Sequence, residues 1–405
     1  MSNAPDAGPA DGDVFPVDFS RPGVFLRDDY YDVLAELRAR ADLPEYEPRA
    51  RLVARYADIR EISRDPARFC SGRGVLANDP LRQGGRIEGS ILHLDPPRHA
   101  EYRRLLNREF TGRAVGRMED RVRDRTRALL DAIPRGEEVD LVDALSAPLP
   151  VMVIADILGV PESERSEFRR WSDATILASD GRAALPPEAM QAFVELSEFL
   201  RAHAERQRAD PGTDVVSLLV HSEIEGEPLS AGELMTFNLS LLVAGNETTR
   251  HLISGALLAL AEHPDQRARL AAEPDAIPGA VEECLRWVTP IQQFGRTVVA
   301  DTTVGNVNVH EGEFLLMLYA GGNRDEAAFG PTADTFDAFR PVTTPNLAFG
   351  FGEHLCLGAA LARLEGRVLL EELLAWSPDY EICGPGELVT SSLVRGHERL
   401  PIRFP

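Results

Sequence analysis

The sequence predicts a mainly α-helical chain with a small β-rich region, and three observations carry that expectation. Ser230-Ala-Gly-Glu233 spells a capping box, Ser at the cap with Glu three residues on, and a helix can run from it to His263, where Pro264 stops it. At about 1.5 Å per residue that is roughly 50 Å, the width of a large domain. Phe237, Leu239, Leu241, Leu242 and Val243 make several faces of that run apolar, as in a buried central helix. Strand-like pieces are short and clustered late: Val298–Ala300, Thr302–Val309 and Phe314–Tyr319, then Leu388–Leu393 and Leu400–Phe404.

Taken in order, residues 1–14, rich in Pro, Gly, Asp and Ala, read as a disordered tail, and residues 15–405 as one domain. Tyr30–Arg40 reads as a helix, Arg51–Tyr56 as an alternating strand, and Asp58–Ser63 as a helix ended by Asp65-Pro66. Cys70 to Pro97 is a long irregular segment, and such loops inside a compact domain usually serve function. A helix starts near Arg98 and puts His99 and Arg103, at i and i+4, on one face. From Arg98 to Arg127 ten arginines stand against five acids. That is either a solvated face with its own ion pairs or a docking surface for an acidic partner. Leu141–Leu158 reads as a buried helix around a break at Pro148 and Pro150. Glu162–Ser179 and Pro187–Gln207 read as two helices joined by a loop.

Composition excludes several classes. The formal net charge is −22, which argues against nucleic acid as a partner. No apolar run approaches the roughly 20 residues that cross a bilayer, and the start has neither a basic segment nor an apolar stretch like a signal peptide's. A cytoplasmic protein without a membrane anchor is expected. Cys70, Cys284, Cys356 and Cys383 are widely spaced, which suggests neither a disulfide framework nor a zinc site.

Two stretches depart from what packing alone would select. Mid-way along the long helix stands Ala244-Gly245-Asn246-Glu247-Thr248-Thr249. Gly costs about 1 kcal/mol there relative to Ala, Thr competes for backbone carbonyls, and a buried Glu needs a partner or water. Three unfavourable choices at one point of a core helix mark a functional site. The second is Phe349-Gly-Phe-Gly-Glu-His-Leu-Cys-Leu-Gly358, just ahead of a helical run from Ala359 to Trp376. Its glycines allow φ > 0 and close approach to something flat. Cys356, at the mouth of a helix, sees the positive end of the dipole, which favours the metal-ligating thiolate. Taken alone, it could equally be a buried cysteine that packs as a small hydrophobe.

The second stretch matches F-G-x-G-x-H-x-C-x-G at every specified position and so resembles the haem-ligand loop of the cytochrome P-450 superfamily. Ala244–Thr249 resembles the family's A/G-G-x-D/E-T-T pattern, with Glu where many members have Asp. His99 and Arg103 match its H-x-x-x-R, Glu283-Cys-Leu-Arg286 its E-x-x-R, and Phe336-Asp-Ala-Phe-Arg340 its F-D-x-x-R. Asn323-Arg324-Asp325 resembles its N-R-D turn. The resemblance spans roughly residues 15 to 405 and implies the P-450 fold, with the long helix over a haem b.

It further implies an iron held by the Cys356 thiolate, with His99, Arg103, Arg296 and His354 on the propionates. Leu92, Ala244, Gly245, Thr248, Ala348, Phe349, Gly350, Leu357 and Gly358 are implied as the other haem-contacting positions. Gly245 is expected to open room for dioxygen, Thr248 to hydrogen-bond it and Glu247 to relay protons, which makes Glu247 and Thr248 the catalytic pair. Glu283, Arg286 and Arg340 become a structural triad bracing the cysteine loop. Residues 70–97 are implied to roof the substrate pocket, and the joint after Ser179 belongs to a mobile lid.

The pocket positions carried over are Ile91, Leu92, Val243, Ala244, Ile291, Phe294, Leu393 and Val394, mostly apolar, so a lipophilic substrate is expected. Gln292, Gln293 and Arg395 are candidates for recognising an oxygen atom on it. The implied activity is hydroxylation: a monooxygenase inserting one oxygen atom from dioxygen into a steroid-, terpenoid- or lipid-like molecule. The implied electron donors are a ferredoxin and its nicotinamide-dependent reductase. A peroxide-using peroxygenase and a non-catalytic haem sensor or electron carrier are the alternatives, and the intact Glu247-Thr248 pair disfavours both.

Overall fold

A computed structural model describes residues 14–85, 87, 90–179 and 187–405. The expected tail up to residue 13 and most of the expected lid joint, 180–186, lie outside the described residues. The helices are α1 (Tyr30–Ala39), α2 (Tyr56–Arg64), α3 (Arg98–Asn107), α4 (Gly112–Gly116), α5 (Glu119–Asp131), α6 (Pro148–Ile157), α7 (Arg165–Ser179) and α8 (Pro187–Ala209). They continue with α9 (Val215–Val220), α10 (Ala231–Glu262), α11 (Pro264–Ala272), α12 (Ile277–Val288), α13 (Tyr319–Asn323), α14 (Glu326–Phe329) and α15 (Ala359–Trp376).

The expected long helix is α10. Its capping box is formed: Ser230 Oγ accepts from Glu233 N–H at 3.2 Å, and Glu233 Oε2 accepts from Ser230 N–H at 2.9 Å. At the other end Pro264 opens α11, so the chain turns there. Around α10 pack α6, α7, α8, α12 and α15. Leu242, Leu252, Ile253, Leu257 and Leu260 of α10 are all buried in the main core. Each such side chain contributes about 1.5–3 kcal/mol relative to exposure. Phe237 stacks on Tyr102 of α3, 5.4 Å between centroids, tying the front of α10 to the helix that carries His99 and Arg103.

The β-rich region is one five-stranded sheet with smaller satellites. In the large sheet, Phe314–Leu318 lies between Ala50–Val53, which it pairs in parallel, and Gln293–Val298, which it pairs antiparallel. The predicted strand Thr302–Val309 is a hairpin, broken at Gly305 by a φ of 54°. Two expectations are corrected. Leu141–Leu158 is not one helix around a proline break. A π-type turn, Val142–Ser146, precedes α6, whose first turn holds both prolines, where a missing N–H costs little. Leu388–Leu393 is not a strand beyond Leu388: the next residues fold back through bonds to the Ser391 hydroxyl from Leu393 N–H and Val394 N–H.

The arginine-rich stretch divides in two. Arg123 and Arg127 of α5 are spent on Glu371 and Glu372 of α15, and Arg367 bonds Glu119 at 2.6 Å. Arg104, Arg113 and Arg117 are exposed and make no ion pair among the described residues, and Arg108 pairs only its neighbour Glu109.

Candidate active site

The cysteine loop is a tight turn that bonds to itself. Gly350 and Gly352 take φ of 66° and 76°, a region closed to most side chains. At Gly352 a Cβ would also stand 1.8 Å from the Ser63 carbonyl oxygen of α2. Gly350 N–H donates to Leu347 O at 2.9 Å and Cys356 N–H to Phe349 O at 2.9 Å. Cys356 is thereby set two residues ahead of Gly358, the N-cap of α15. Its side chain is accessible on one side yet crowded by protein on the others, and that crowding raises its thiol pKa. The Gly358 N–H and the charges of Arg103 and Arg363 pull the other way but do not win. A coordinated metal is what deprotonates such a thiol.

Basic groups gather beside this loop. His99 of α3 and His354 lie with ring centroids 4.2 Å apart. Arg103, one turn beyond His99, donates to the Leu355 carbonyl. Arg296, on the sheet, is buried; among the described residues its side chain donates to Gly295 O at 2.7 Å and has no carboxylate in ion-pair reach. Burial first, then neighbouring positive charge, pushes His99 down to about 4 and His354 down to about 3. His99 Nε2 is buried without a partner. Glu353 Oε1 lies 3.4 Å from His354 Nε2, and with His99 Nε2 unpartnered among the described residues the histidines and the two arginines offer donors to the carboxylates of a bound group.

Opposite features appear in the middle of α10. Ala244 is exposed, and Val243, Gly245 and Thr248 are partly accessible, although the helix is buried before and after them. Thr248 Oγ1 donates to Ala244 O at 2.8 Å. Glu247 points elsewhere: it is buried, with Oε1 3.9 Å from His251 Nε2. At Gly245 a Cβ would meet Ile154 Cδ1 of α6 at 3.3 Å, so the missing side chain also lets α10 and α6 pack closely.

The pocket positions come from separate segments. Ile91 and Leu92 sit half-buried in a 3-10 turn, Ile91–His93. Ile291 and Val394 form an isolated β-bridge, reinforced by Gln292 N–H donating to Leu393 O at 2.9 Å. Phe294 meets Tyr319 edge-on at 6.3 Å. Ala348, Phe349 and Leu357 are partly buried against the main core, and Arg363 lies 4.6 Å over the Phe349 ring. Gln292, Gln293 and Arg395 bond to protein groups. Gln292 Oε1 accepts from Tyr30 Oη at 2.7 Å, Gln293 Nε2 donates to Phe19 O at 2.8 Å, and Arg395 Nε donates to Phe25 O at 3.2 Å. All three anchor the N-terminal segment.

The predicted triad is assembled. Glu283 accepts from Arg286 Nε and Nη2, both at 2.7 Å, and from Arg340 Nε at 3.1 Å. Arg286 also donates to the carbonyls of Asn323, Ala333 and Thr335. Asn323 Oδ1 then accepts from Leu347 N–H at 2.6 Å, which carries the brace into the cysteine loop.

Sequence reasoning missed several supports. Ser71 Oγ lies 3.0 Å from His354 Nε2, and Asp95 accepts from Ser71 N–H and Gly72 N–H. Asp79, fully buried, accepts from Val75 N–H and from His93 Nε2, whose Nδ1 meets Ser90 Oγ at 2.9 Å. Burial would raise Asp79, but its hydrogen bonds outweigh that and lower it. The acids and serines of residues 70–97 were the available signal, since such residues bond local backbone in loops.

A family model described as Cytochrome P450 matches residues 48–375. A steroid C26-monooxygenase of Mycolicibacterium smegmatis is 36% identical over 373 residues, covering 90% of this chain and 90% of its own. A linalool 8-monooxygenase of Pseudomonas putida is 33% identical over 401 residues, covering 95% of this chain and 98% of its own. Among solved structures, a Mycobacterium marinum cytochrome P450 in complex with pseudoionone superposes with a TM-score of 0.86 at 33% identity, covering 96% of this chain and 99% of that one.

Proposed function

This chain belongs to the cytochrome P450 family, and from that premise we propose that it hydroxylates a steroid, terpenoid or similar lipophilic molecule with electrons from a ferredoxin and its nicotinamide-dependent reductase. Membership makes it a monooxygenase, an oxidoreductase whose cofactor is a cysteine-ligated haem and whose co-substrate is dioxygen. No helix among the described residues is long and apolar enough to cross a membrane. Residues 15–405 are read as one domain.

One observation carries the site assignment: an accessible cysteine beside His99, His354, Arg103 and a buried Arg296 that has no acid in ion-pair reach among the described residues. A haem needs that donor set, one thiolate for iron and charged or N–H donors for two propionates. Bound, it supplies the redox chemistry of dioxygen. The chain's own residues do the rest. Cys356 ligates; His99, Arg103, Arg296 and His354 hold the carboxylates. Leu92, Ala244, Gly245, Ala348, Phe349, Gly350, Leu357 and Gly358 contact the macrocycle, Gly245 through its backbone. Ile91, Val243, Ile291, Phe294, Leu393 and Val394 present apolar surface to the substrate and exclude water. Thr248 Oγ1, on the accessible strip, holds a proton where oxygen is reduced, and Glu247 resupplies it.

The exposed Arg104, Arg113 and Arg117 support docking of an acidic ferredoxin. The test uses the holoprotein. Cys356→His should retain haem yet lose the thiolate signature of the reduced carbon monoxide complex. Titration with steroids and terpenoids should shift the haem band, and the shifting ligand should be hydroxylated when ferredoxin and reductase are supplied. An unchanged signature would overturn the ligand assignment, and no shift with any member of either class would overturn the substrate class.

A further inference from the structure

The buried acid of α10 faces away from the strip that carries Thr248, and two histidines lie on its far side. His251, one turn beyond Glu247 on the same face, is 1% exposed, and neither ring nitrogen has a hydrogen-bond partner. Its Nε2 is 3.9 Å from Glu247 Oε1. The ring lies flat on the backbone of Gly396, where a Cβ would come within 2.1 Å of His251 Cγ and Nδ1. The next residue is His397, also buried, with Nδ1 unpartnered. His397 opens the outer strand His397–Arg399, whose Glu398 and Arg399 are exposed, and its Nε2 edge lies against Gly386, where a Cβ would be 3.1 Å away.

Two buried imidazoles with three ring nitrogens lacking hydrogen-bond partners among the described residues are a poor choice for packing, where Leu or Phe would fill the space without desolvating polar nitrogens. Aligned between a buried acid and a surface hairpin, they have a use. We propose that His397 and His251 form a proton conduit from the C-terminal hairpin to Glu247, acting through that acid and not on substrate. His397 takes a proton from solvent at one ring nitrogen and releases one from the other, directly or through a water, to His251 Nδ1. His251 then releases a proton from Nε2 to the Glu247 carboxylate, and rotation of that side chain delivers it towards Thr248 Oγ1. Each imidazole gains one proton and loses one, so charge balances at every step.

The charged groups around the pair are Glu247 from α10, Arg395 and Asp140 from the surrounding chain, and Arg250, whose Nη2 reaches Glu398 O at 3.5 Å. Burial, with the His251 and Arg395 charges behind it and Asp140 opposing, pushes His397 down to about 4. The resting ring is therefore neutral and passes protons without storing them.

The proposal rests on Glu247 as the relaying acid, and the experiment separates the two. In holoprotein labelled with 15N-histidine, ring-proton exchange at His251 is followed by NMR in wild type and in His397→Phe, with the haem spectrum and ligand shift as controls for fold. Exchange at His251 should slow at least about tenfold in the variant; an unchanged rate overturns the conduit. Turnover is measured for His251→Phe, His251→Gln, Glu247→Gln and the double variant, with solvent isotope effects. His251→Phe should slow product formation at least about tenfold and raise the solvent isotope effect, and the double variant should be no slower than Glu247→Gln alone. If Glu247→Gln leaves turnover unchanged, the acid's role fails. If it slows turnover while both His251 variants do not, the conduit alone fails.

Discussion

Glu365 offers a stability test that is independent of the cofactor chemistry. It sits on α15, 1% exposed, with Oε2 lacking any partner, and burial pushes its carboxyl up from the ordinary 4.5 to about 8. The native state therefore holds a proton that the unfolded chain releases above pH 4.5. Stability from this group is fully present below about pH 4.5, falls as pH rises, and levels off near pH 8. At about 1.4 kcal/mol per pH unit, the loss by neutral pH is roughly 3 kcal/mol. Glu365→Gln keeps the shape and removes the titration. The variant should gain on wild type by about 1.4 kcal/mol for each pH unit between 5 and 8, read from urea midpoints at fixed slope. Two curves that stay parallel over that range would falsify the protonated-acid reading.

Three other outcomes follow from the geometry. Glu283→Ala leaves Arg286 and Arg340 without their shared carboxylate, and breaking a buried pair from one side should cost about 3–5 kcal/mol, with haem lost on purification. Thr248→Ala should bind substrate normally yet divert reducing equivalents to hydrogen peroxide, measured as product formed per nicotinamide oxidised. Arg113→Glu with Arg117→Glu should slow reduction by ferredoxin several-fold at low ionic strength, and the difference should vanish at about 1 M salt, where screening reaches about 3 Å.

Much of this site was legible because its signals are local. The capping box, the prolines that stop helices and the glycines at φ of 66° and 76° act within a few residues, and each was where the pattern placed it. What the sequence did not reveal depends on rotation and distance. That the missing side chain of Gly245 lies against Ile154 of α6 depends on how the two helices are turned. Gln292 and Gln293 looked free to recognise substrate, but Tyr30 engages the Gln292 oxygen and Phe19 the Gln293 amide nitrogen. His251 and His397 are far apart along the chain, and the absent side chain of Gly396 lets the segment before His397 lie on the His251 ring. The Asp79–His93 pair likewise closes a loop whose composition announced polarity but not partners.

The bridge between Ile291 and Val394 joins two stretches that the chain separates by a long interval. Gln292 N–H to Leu393 O and Arg395 N–H to Pro290 O, each at 2.9 Å, fasten it on either side, and the Gln293 amide adds Ser392 O. Two walls of the proposed pocket are therefore one rigid piece. Enlarging Leu393 moves Ile291 as well, so substitutions at the two positions cannot be chosen independently, and their effects on selectivity should be epistatic. Ile91 and Leu92, on a turn outside this brace, are free of that coupling. Altered substrate range is reached most simply there, one residue at a time, with the braced wall left as it is.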